Sequence, residues 1–494
     1  MDQCINKVVA FDFGASSGRA MVASLNQGKI ELEEIHRFSN DPVYVCDTLH
    51  WDVLRLLHEI KTALLKVKDQ QVLSIGIDTW GVDFGLLDND GKLIENPVHY
   101  RDQRTIGMLE ESFRVIDKEE FYQITGNQFM EINTAFQVLS LKKNRSHLLE
   151  RAKTLLMMPD LLNYFLCGEK VTEYTIATTT QLLDTKQREW SQAVMSCLEL
   201  PTRLFAPIIP CGTQLSTLTK EIQEELELPP IAVTAVAGHD TQCAMAAVPT
   251  LTEDFVFLSC GTWSLLGTEI SEPIMSDLAY RYNITNEGAY DNRYSFLKNI
   301  TGLWLVQESR RQYKREGKDY SFSELEQLGL KATPLHCFID VDAPEFSLPG
   351  NLPQRIREYC TRTNQYVPQN EGEIIRCINE SLAMRYRQSL DEIRECTGKE
   401  YQELHMVGGG IQSKMLCQCA ANACGCNVIA GPIEATVLGN AVIQYMSLGI
   451  IKDIKEARSI ILNSYEMEVY PPIGKEEWEA GYQRFLSIVK KNEL

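Results

Sequence analysis

The tetrapeptide Gly238-His239-Asp240-Thr241 holds the strongest candidate for a reacting group in this chain. It follows a β-branched run and opens a stretch of small residues with helical character. An aspartate at a helix N-terminus stays ionised, favoured by the dipole, and an ionised carboxylate can accept the proton of an alcohol as that alcohol attacks phosphorus. The same position suits a plain helix N-cap, so the tetrapeptide alone leaves both roles open. Asp12 ends an apolar run two residues before Gly14. A buried carboxylate there needs a cation or hydrogen bonds. Bound Mg²⁺ would serve, and so would the N–H groups of the turn. Arg19, beyond that turn, is spaced to bring its guanidinium to a phosphate or to lie on a strand surface. Ile77-Asp-Thr-Trp-Gly-Val-Asp-Phe-Gly85 offers Trp80 and Asp83, suited to one face and the hydroxyls of a sugar, or equally to a core and a turn. Gly408-Gly409-Gly410 makes a turn without Cβ atoms that a bulky ligand can approach closely, or simply a tight turn. His99 to Arg104 reads as a solvated polar loop.

These residues need elements to hold them, and the most telling is written twice. Lys7 to Ser24 and Asp254 to Thr268 are each an apolar β-rich run, a turn of Gly with small hydroxyl residues, and a second apolar run. Each predicts a hairpin whose tip exposes N–H groups and hydroxyls, which can hold phosphate oxygens. Residues 7–37 read as three consecutive strands. Asp52 is placed to cap a helix with Leu54, Leu57, Ile60, Leu64 and Leu65 on one face. Strands are expected at Val72–Ile77, Val82–Leu87, Ile231–Val236 and Leu404–Val407. Helices are expected at Asp160–Leu166, Glu373–Cys396 and about Thr436–Leu448. Strands interleaved with helices give an α/β class. Two related domains are expected, residues 1–248 and 249–494, divided near Val248-Pro249.

The bulk properties narrow the partners. At 494 residues the chain exceeds one ordinary core, and its 44% hydrophobic and 23% charged content is that of a globular protein. A net charge of −19 argues against nucleic acid and against anionic membrane surfaces. The N-terminus shows no secretory leader, and no run approaches the ~18 apolar residues of a membrane span, so a cytoplasmic location is expected. Fifteen cysteines in that setting read as mostly reduced, buried thiols. Cys417, Cys419, Cys424 and Cys426 have spacing unlike common zinc sites and are expected to be core residues. Neither a P-loop motif nor a G-x-G-x-x-G dinucleotide motif occurs.

Taken in order, Asp12 to Arg19, Ile77 to Asp83, Gly238 to Asp240, Cys260-Gly-Thr-Trp-Ser264 and Val407 to Gly410 resemble the FGGY carbohydrate kinases. Tyr100 to Arg104, Pro159 to Gly168, Thr172-Glu-Tyr174, Thr180 to Asp184 and Asn299 to Trp304 extend the resemblance from about residue 7 to 450. It implies two actin-like (ribonuclease-H-like) domains with an interdomain active-site cleft. It implies transfer of phosphate from ATP, with Mg²⁺, to the C1 hydroxyl of a ketose. L-rhamnulose is favoured, ahead of L-fuculose, ribulose, xylulose or glycerol. It makes Asp240 the general base. Gly81, Asp83, Gly238, His239, Asp240, Thr241 and Asn299 become sugar contacts. Ala15, Ser16, Ser17, Gly18 and Arg19 become the first phosphate loop. Thr262, Gln307 and Gly409 become nucleotide contacts, and Asp12 organises the metal. Many members carry Thr where this loop reads Ala15-Ser16. The competing reading, an actin- or chaperone-like ATP switch without a sugar site, is opposed by Asp240 and by the polar residues around Trp80.

Overall fold

The computed structural model describes residues 6–489. The first five residues, including Cys4 and most of the segment read for a leader, lie outside the described residues. By contacts the chain divides into two compact units. The first comprises the chain up to Leu251 with Glu269–Phe296 and Ala435–Ser464, and the second comprises Thr252–Thr268, Leu297–Glu434 and the chain from Tyr465. The expected cut near Pro249 marks the first crossing, but the chain crosses again at Glu269, Leu297, Ala435 and Tyr465.

The first unit is built on six strands: β1 (Asn6–Phe13), β2 (Ser17–Asn26), β3 (Lys29–Ser39), β4 (Val72–Thr79), β5 (Thr213–Thr217) and β6 (Ala232–Ala235). Their order is β5-β6-β4-β1-β2-β3. The β1–β2 and β2–β3 pairs are antiparallel, whereas β4 lies parallel to both β1 and β6. Apolar side chains of these strands, including Val8, Phe11, Val22, Ile75, Ile77 and Val233, are fully buried.

The second unit carries β7 (Val256–Cys260), most of β8 (Trp263–Ile270) and β9 (Tyr294–Thr301), then β10 (Glu403–Val407), β11 (Asn427–Ala430) and β12 (Glu468–Tyr470). These six run in the order β9-β8-β7-β10-β11-β12. Again a hairpin, β7–β8, is joined to two parallel pairings, β7–β10 and β10–β11, and closed by an antiparallel strand. The duplicated hairpin of the sequence thus begins a duplicated sheet.

Two helices of the first unit pack against its sheet, α1 (Asp240–Ala246) and α2 (Ala435–Ser447). They cross very closely. A Cβ added at Gly439 of α2 would lie 1.8 Å from the Cys243 carbonyl oxygen of α1. One turn apart on α2, Asn440 and Gln444 reach the sheet, Gln444 Nε2 donating to the Val9 carbonyl at 3.0 Å. These amides satisfy carbonyls that an apolar helix face would leave bare.

Asp52 accepts a hydrogen bond from Arg55 N at 3.2 Å and caps the helix Val53–Leu65 as expected. Its buried stripe is rotated, however: Val53, Leu56, Ile60, Ala63 and Leu64 face inward, while Leu54 and Leu65 are exposed. Every cysteine among the described residues is a free thiol. Cys417, Cys419 and Cys424 are buried along the helix Lys414–Cys424, and Cys426 is buried beyond it. The thiols that do come together are Cys337, Cys360 and Cys377, whose sulfurs all lie within 4.8 Å of one another.

Candidate functional site

Three parallel strands of the first unit end at one acidic group. Asp12 is the penultimate residue of β1 and sits opposite Asp78 of β4 in the parallel register. Thr79 then bridges to His239, which brings the chain leaving β6 alongside. The carboxyl ends of adjacent parallel strands are where open α/β sheets bind ligands. Asp12, Asp78 and Asp240 feel one another's charge there. Burial, then Asp12 and also Asp240, push Asp78 well above the usual carboxylate range. One Asp78 oxygen accepts from Asn440 Nδ2 at 2.7 Å, and the other, Oδ1, is buried without a hydrogen bond.

The cation beside Asp12 is Arg19. Their side chains pair at 2.6 Å across the β1–β2 ladder, where the two residues are directly opposed. The tip between them is tight: Gly14 N donates to Ser17 O at 2.9 Å, and Asn40 Nδ2 donates to the Gly14 carbonyl at 2.9 Å. Ala15, Ser16 and Ser17 sit at this tip, partly or fully exposed, and Gly18 is pressed against Phe38, 2.2 Å from where its Cβ would be.

Asp240 is the first residue of α1, and His239 takes the N-cap position. The carboxylate is therefore not spent as a cap. It accepts from Thr241 Oγ1 at 3.1 Å, and about 30% of the side chain meets solvent. Desolvation raises Asp240 to about 6; His239 opposes the rise and Asp12 adds to it. His239 is buried, with Nδ1 at 2.8 Å from Glu287 Oε2 and Nε2 at 3.5 Å from Asp240 Oδ1. Burial alone would lower His239, but the charge and hydrogen bond of Glu287 outweigh it and the net shift is upward.

Glu173 holds the backbone of this segment. Its buried carboxylate accepts from the N–H groups of Gly238 (2.9 Å), Thr175 (2.9 Å) and Ile176 (3.1 Å), and from Thr175 Oγ1 at 2.6 Å. The Thr175 hydroxyl in turn accepts from His239 N at 3.3 Å. Burial raises Glu173 to about 7, against those hydrogen bonds.

Not every expected contact stands open to a ligand. Gly81 is half-buried next to Thr179, which would lie 3.1 Å from an added Cβ. Asp83 is fully buried and is engaged by the protein. Its Oδ2 accepts from Trp51 Nε1 (2.6 Å), Trp80 Nε1 (3.0 Å) and Tyr100 N (3.1 Å), and its Oδ1 accepts from Gln137 Nε2 (2.9 Å). It organises a cluster in which Trp51 lies 4.0 Å from Trp80 and 4.1 Å from His99 between ring centroids.

The second unit holds Thr262, Asn299, Gln307 and Gly409. Thr262 lies in the β7–β8 turn, where its carbonyl accepts from Gly302 N and Trp304 N, both at 3.2 Å. Asn299 is half-buried in β9, and Gln307 lies on the helix Trp304–Arg315 with its Oε1 buried and without a hydrogen bond. Within the glycine turn the three residues differ. Gly408 has φ of +87°, Gly410 leaves 2.2 Å between an added Cβ and Cys260 Sγ, and at Gly409 nothing stands within 4 Å. Gly409 is thus the one open to a ligand.

Asp78, Glu173 and Glu287 were not picked out by the sequence. Asp78 carried a signal, since Ile77-Asp78 repeats the strand-ending pattern of Phe11-Asp12. Glu173 lay inside the Thr172-Glu-Tyr174 segment, but nothing there pointed to Gly238, 65 residues away; Glu287 carried no signal, its histidine partner being 48 residues away.

Comparison with known proteins agrees with this architecture. The N-terminal domain model of the FGGY family of carbohydrate kinases matches residues 7–247, and its C-terminal domain model matches residues 256–448. This chain belongs to that family. It is 41% identical to a Rhamnulokinase of Bacteroides thetaiotaomicron, over 97% of this chain and 99% of that protein. It is 38% identical to one from Bacillus subtilis, over 94% and 95% of the two chains. Among solved structures, xylulose kinase from Lactobacillus acidophilus superposes with a TM-score of 0.79 at 15% identity, covering 98% of this chain and 97% of that one. Glycerol kinase from Plasmodium falciparum with ADP does so with 0.78 at 16% identity, covering 99% and 98%. The fold is the two-domain actin-like, ribonuclease-H-like one of these sugar kinases.

Proposed function

We propose that this enzyme transfers the γ-phosphoryl group of ATP to the C1 hydroxyl of L-rhamnulose, giving L-rhamnulose 1-phosphate and ADP. The substrate rests on full-length relatives that bear the name Rhamnulokinase. The chemistry rests on one observation: Asp240, free of a capping role, presents a partly exposed carboxylate at the carboxyl ends of β1 and β4. The C1 hydroxyl oxygen attacks phosphorus in line as Asp240 takes its proton. A base at about 6 is ionised at neutral pH yet remains basic enough to accept that proton. Gly238, His239 and Thr241 flank it as sugar contacts, with Gly81 and Asn299. The tip from Ala15 to Arg19 and Thr262 meet the phosphates, and Gln307 and Gly409 meet the nucleotide. The engaged oxygens of Asp83 assign it to shaping the aromatic cluster instead of a sugar hydroxyl.

A Mg²⁺ ion is assigned to Asp12 and Asp78, opposed across β1 and β4, because Asp78 Oδ1 is a hard oxygen donor buried with no hydrogen-bond partner. Asp12 and Asp78 would hold it, and when bound it would neutralise charge on the phosphates. Arg19, relieved of Asp12, would then be available to a phosphate oxygen. Location in the cytoplasm and the absence of nucleic-acid or membrane partners complete the reading; among the described residues no helix is long and apolar enough to cross a membrane.

The test is ADP release with MgATP and, in turn, L-rhamnulose, L-fuculose, ribulose, xylulose and glycerol. Highest kcat/KM on L-rhamnulose is expected. Preference for another sugar would transfer the reading to that sugar, and ATP hydrolysis that no sugar stimulates would revive the switch.

A further inference from the structure

We propose that Glu287 is the positioning residue of the sugar site, holding His239 with its proton on Nδ1 so that Nε2 faces Asp240. The proposal rests on the reading of Asp240 as base and His239 as sugar contact. Glu287 lies in the short strand Thr285–Gly288, and its side chain is 5% exposed. Its Oε2 is 2.8 Å from His239 Nδ1 and accepts from Gln242 Nε2 at 3.0 Å. That oxygen already serves as an acceptor for Gln242, so the ring nitrogen facing it carries the hydrogen. A bare Nδ1 would set two lone pairs against each other in a buried place. The other nitrogen, Nε2, then points to the side where Asp240 Oδ1 stands at 3.5 Å.

The surroundings make Glu287 a fixed anchor. Gln242, three residues after His239 on α1, also accepts from Ser295 Oγ at 2.7 Å, so its amide cannot flip without losing a bond. Gly288 N donates to Thr178 Oγ1 at 3.0 Å, and Tyr174 would stand 2.3 Å from a Cβ at Gly288, which pins the strand one residue from Glu287. The His239 backbone is held separately by Thr175. Main chain and ring are thus located by two different carboxylates, Glu173 through the backbone and Glu287 through Nδ1. Rotating the ring would exchange the faces it offers to a sugar hydroxyl without moving Asp240.

The experiment uses the full-length enzyme with ¹⁵N-labelled histidine, His239 being assigned among the eight histidines by the loss of its signals in His239→Gln. In the wild type, the ring nitrogens should show Nδ1 protonated. In Glu287→Ala that signature should be lost. The KM for L-rhamnulose should rise about tenfold or more, as for loss of a hydrogen bond to a charged group, while the KM for ATP should change less than about twofold. Glu287→Gln keeps an oxygen acceptor and should restore Nδ1 protonation and most of the sugar affinity, even if the alanine variant fails to fold. An unprotonated Nδ1 in the wild type, or an unchanged sugar KM in both variants, overturns the proposal. So does an equal rise in both KM values. If the wild type releases no ADP with any sugar, the reading of the reaction has failed, and the ring nitrogens alone then decide whether Glu287 sets His239.

Discussion

At the scale of single residues, the acidic group separates into side chains with different protonation habits. Asp240, raised to about 6, must be ionised to take a proton. The kcat/KM for sugar should therefore fall as pH drops through about 6, one decade per unit. Asp240→Asn should leave sugar binding by calorimetry within a few-fold while turnover falls by about 10²–10⁴-fold. Near-native turnover would remove Asp240 from the mechanism. Asp78 behaves differently. Its acid form is favoured by the fold, so an amide of the same shape should cost little. Asp78→Asn is expected to keep or raise the melting temperature of the ligand-free enzyme while weakening Mg²⁺ dependence and turnover. Loss of stability together with activity would instead make Asp78 a structural hydrogen-bonding group.

At the scale of elements, α1 is only as well placed as the helix it crosses. Gly439 of α2 allows an approach that no side chain fits, since its Cβ would fall on the Cys243 carbonyl. Gly439→Ala should force the helices apart, at a cost of about 3 kcal/mol as judged from overpacked cores, and should lower the melting temperature and activity together. Much of this scale could be read in advance. Apolar β-rich runs located β1 to β4 and the second hairpin, and Asp52 marked a helix start. The inward face of Val53–Leu65 could not be read, because its leucines allow two stripes and packing chose the one with Leu56. Asp83 misled for a related reason. A carboxylate near tryptophans suits a sugar, and only the fold shows that both indoles spend their N–H groups on it. Glu287 was out of reach, since nothing local to residue 287 reports a histidine brought beside it from 48 positions earlier in the chain.

At the scale of the whole molecule, the two sheets share the runs β3-β2-β1-β4-β6 and β9-β8-β7-β10-β11 and differ at the far edge, and the titrating load is uneven. In the first unit, buried Glu173 is raised to about 7, and buried Asp83 and half-buried Asp240 are each raised to about 6. Asp78 and Asp160 are pushed well above the usual carboxylate range. Burial leads in each case, so the folded state binds protons that the unfolded chain has released. By linkage, the unfolded state holds fewer protons between about pH 4.5 and 7, and stability falls as pH rises through that window. The upward shift of His239 acts in the same direction, its contribution being lost as pH rises through its folded value. The net charge of −19 adds self-repulsion that eases on mild acidification. Ligand-free enzyme should therefore melt a few degrees higher at pH 6 than at pH 8. Below about pH 4.5 the order reverses, as carboxylates held low by cations, such as Glu308 beside Arg315 and Arg311, become protonated. Adding Mg²⁺ should raise the melting temperature at pH 8 more than at pH 6, because the ion favours the ionised acidic group that protons otherwise neutralise. Calorimetry at the two pH values, with and without Mg²⁺ and in Asp78→Asn, separates the terms. The metal-dependent part should shrink in that variant, and an equal Mg²⁺ effect at both pH values would show that the ion does not compete with protons at Asp78.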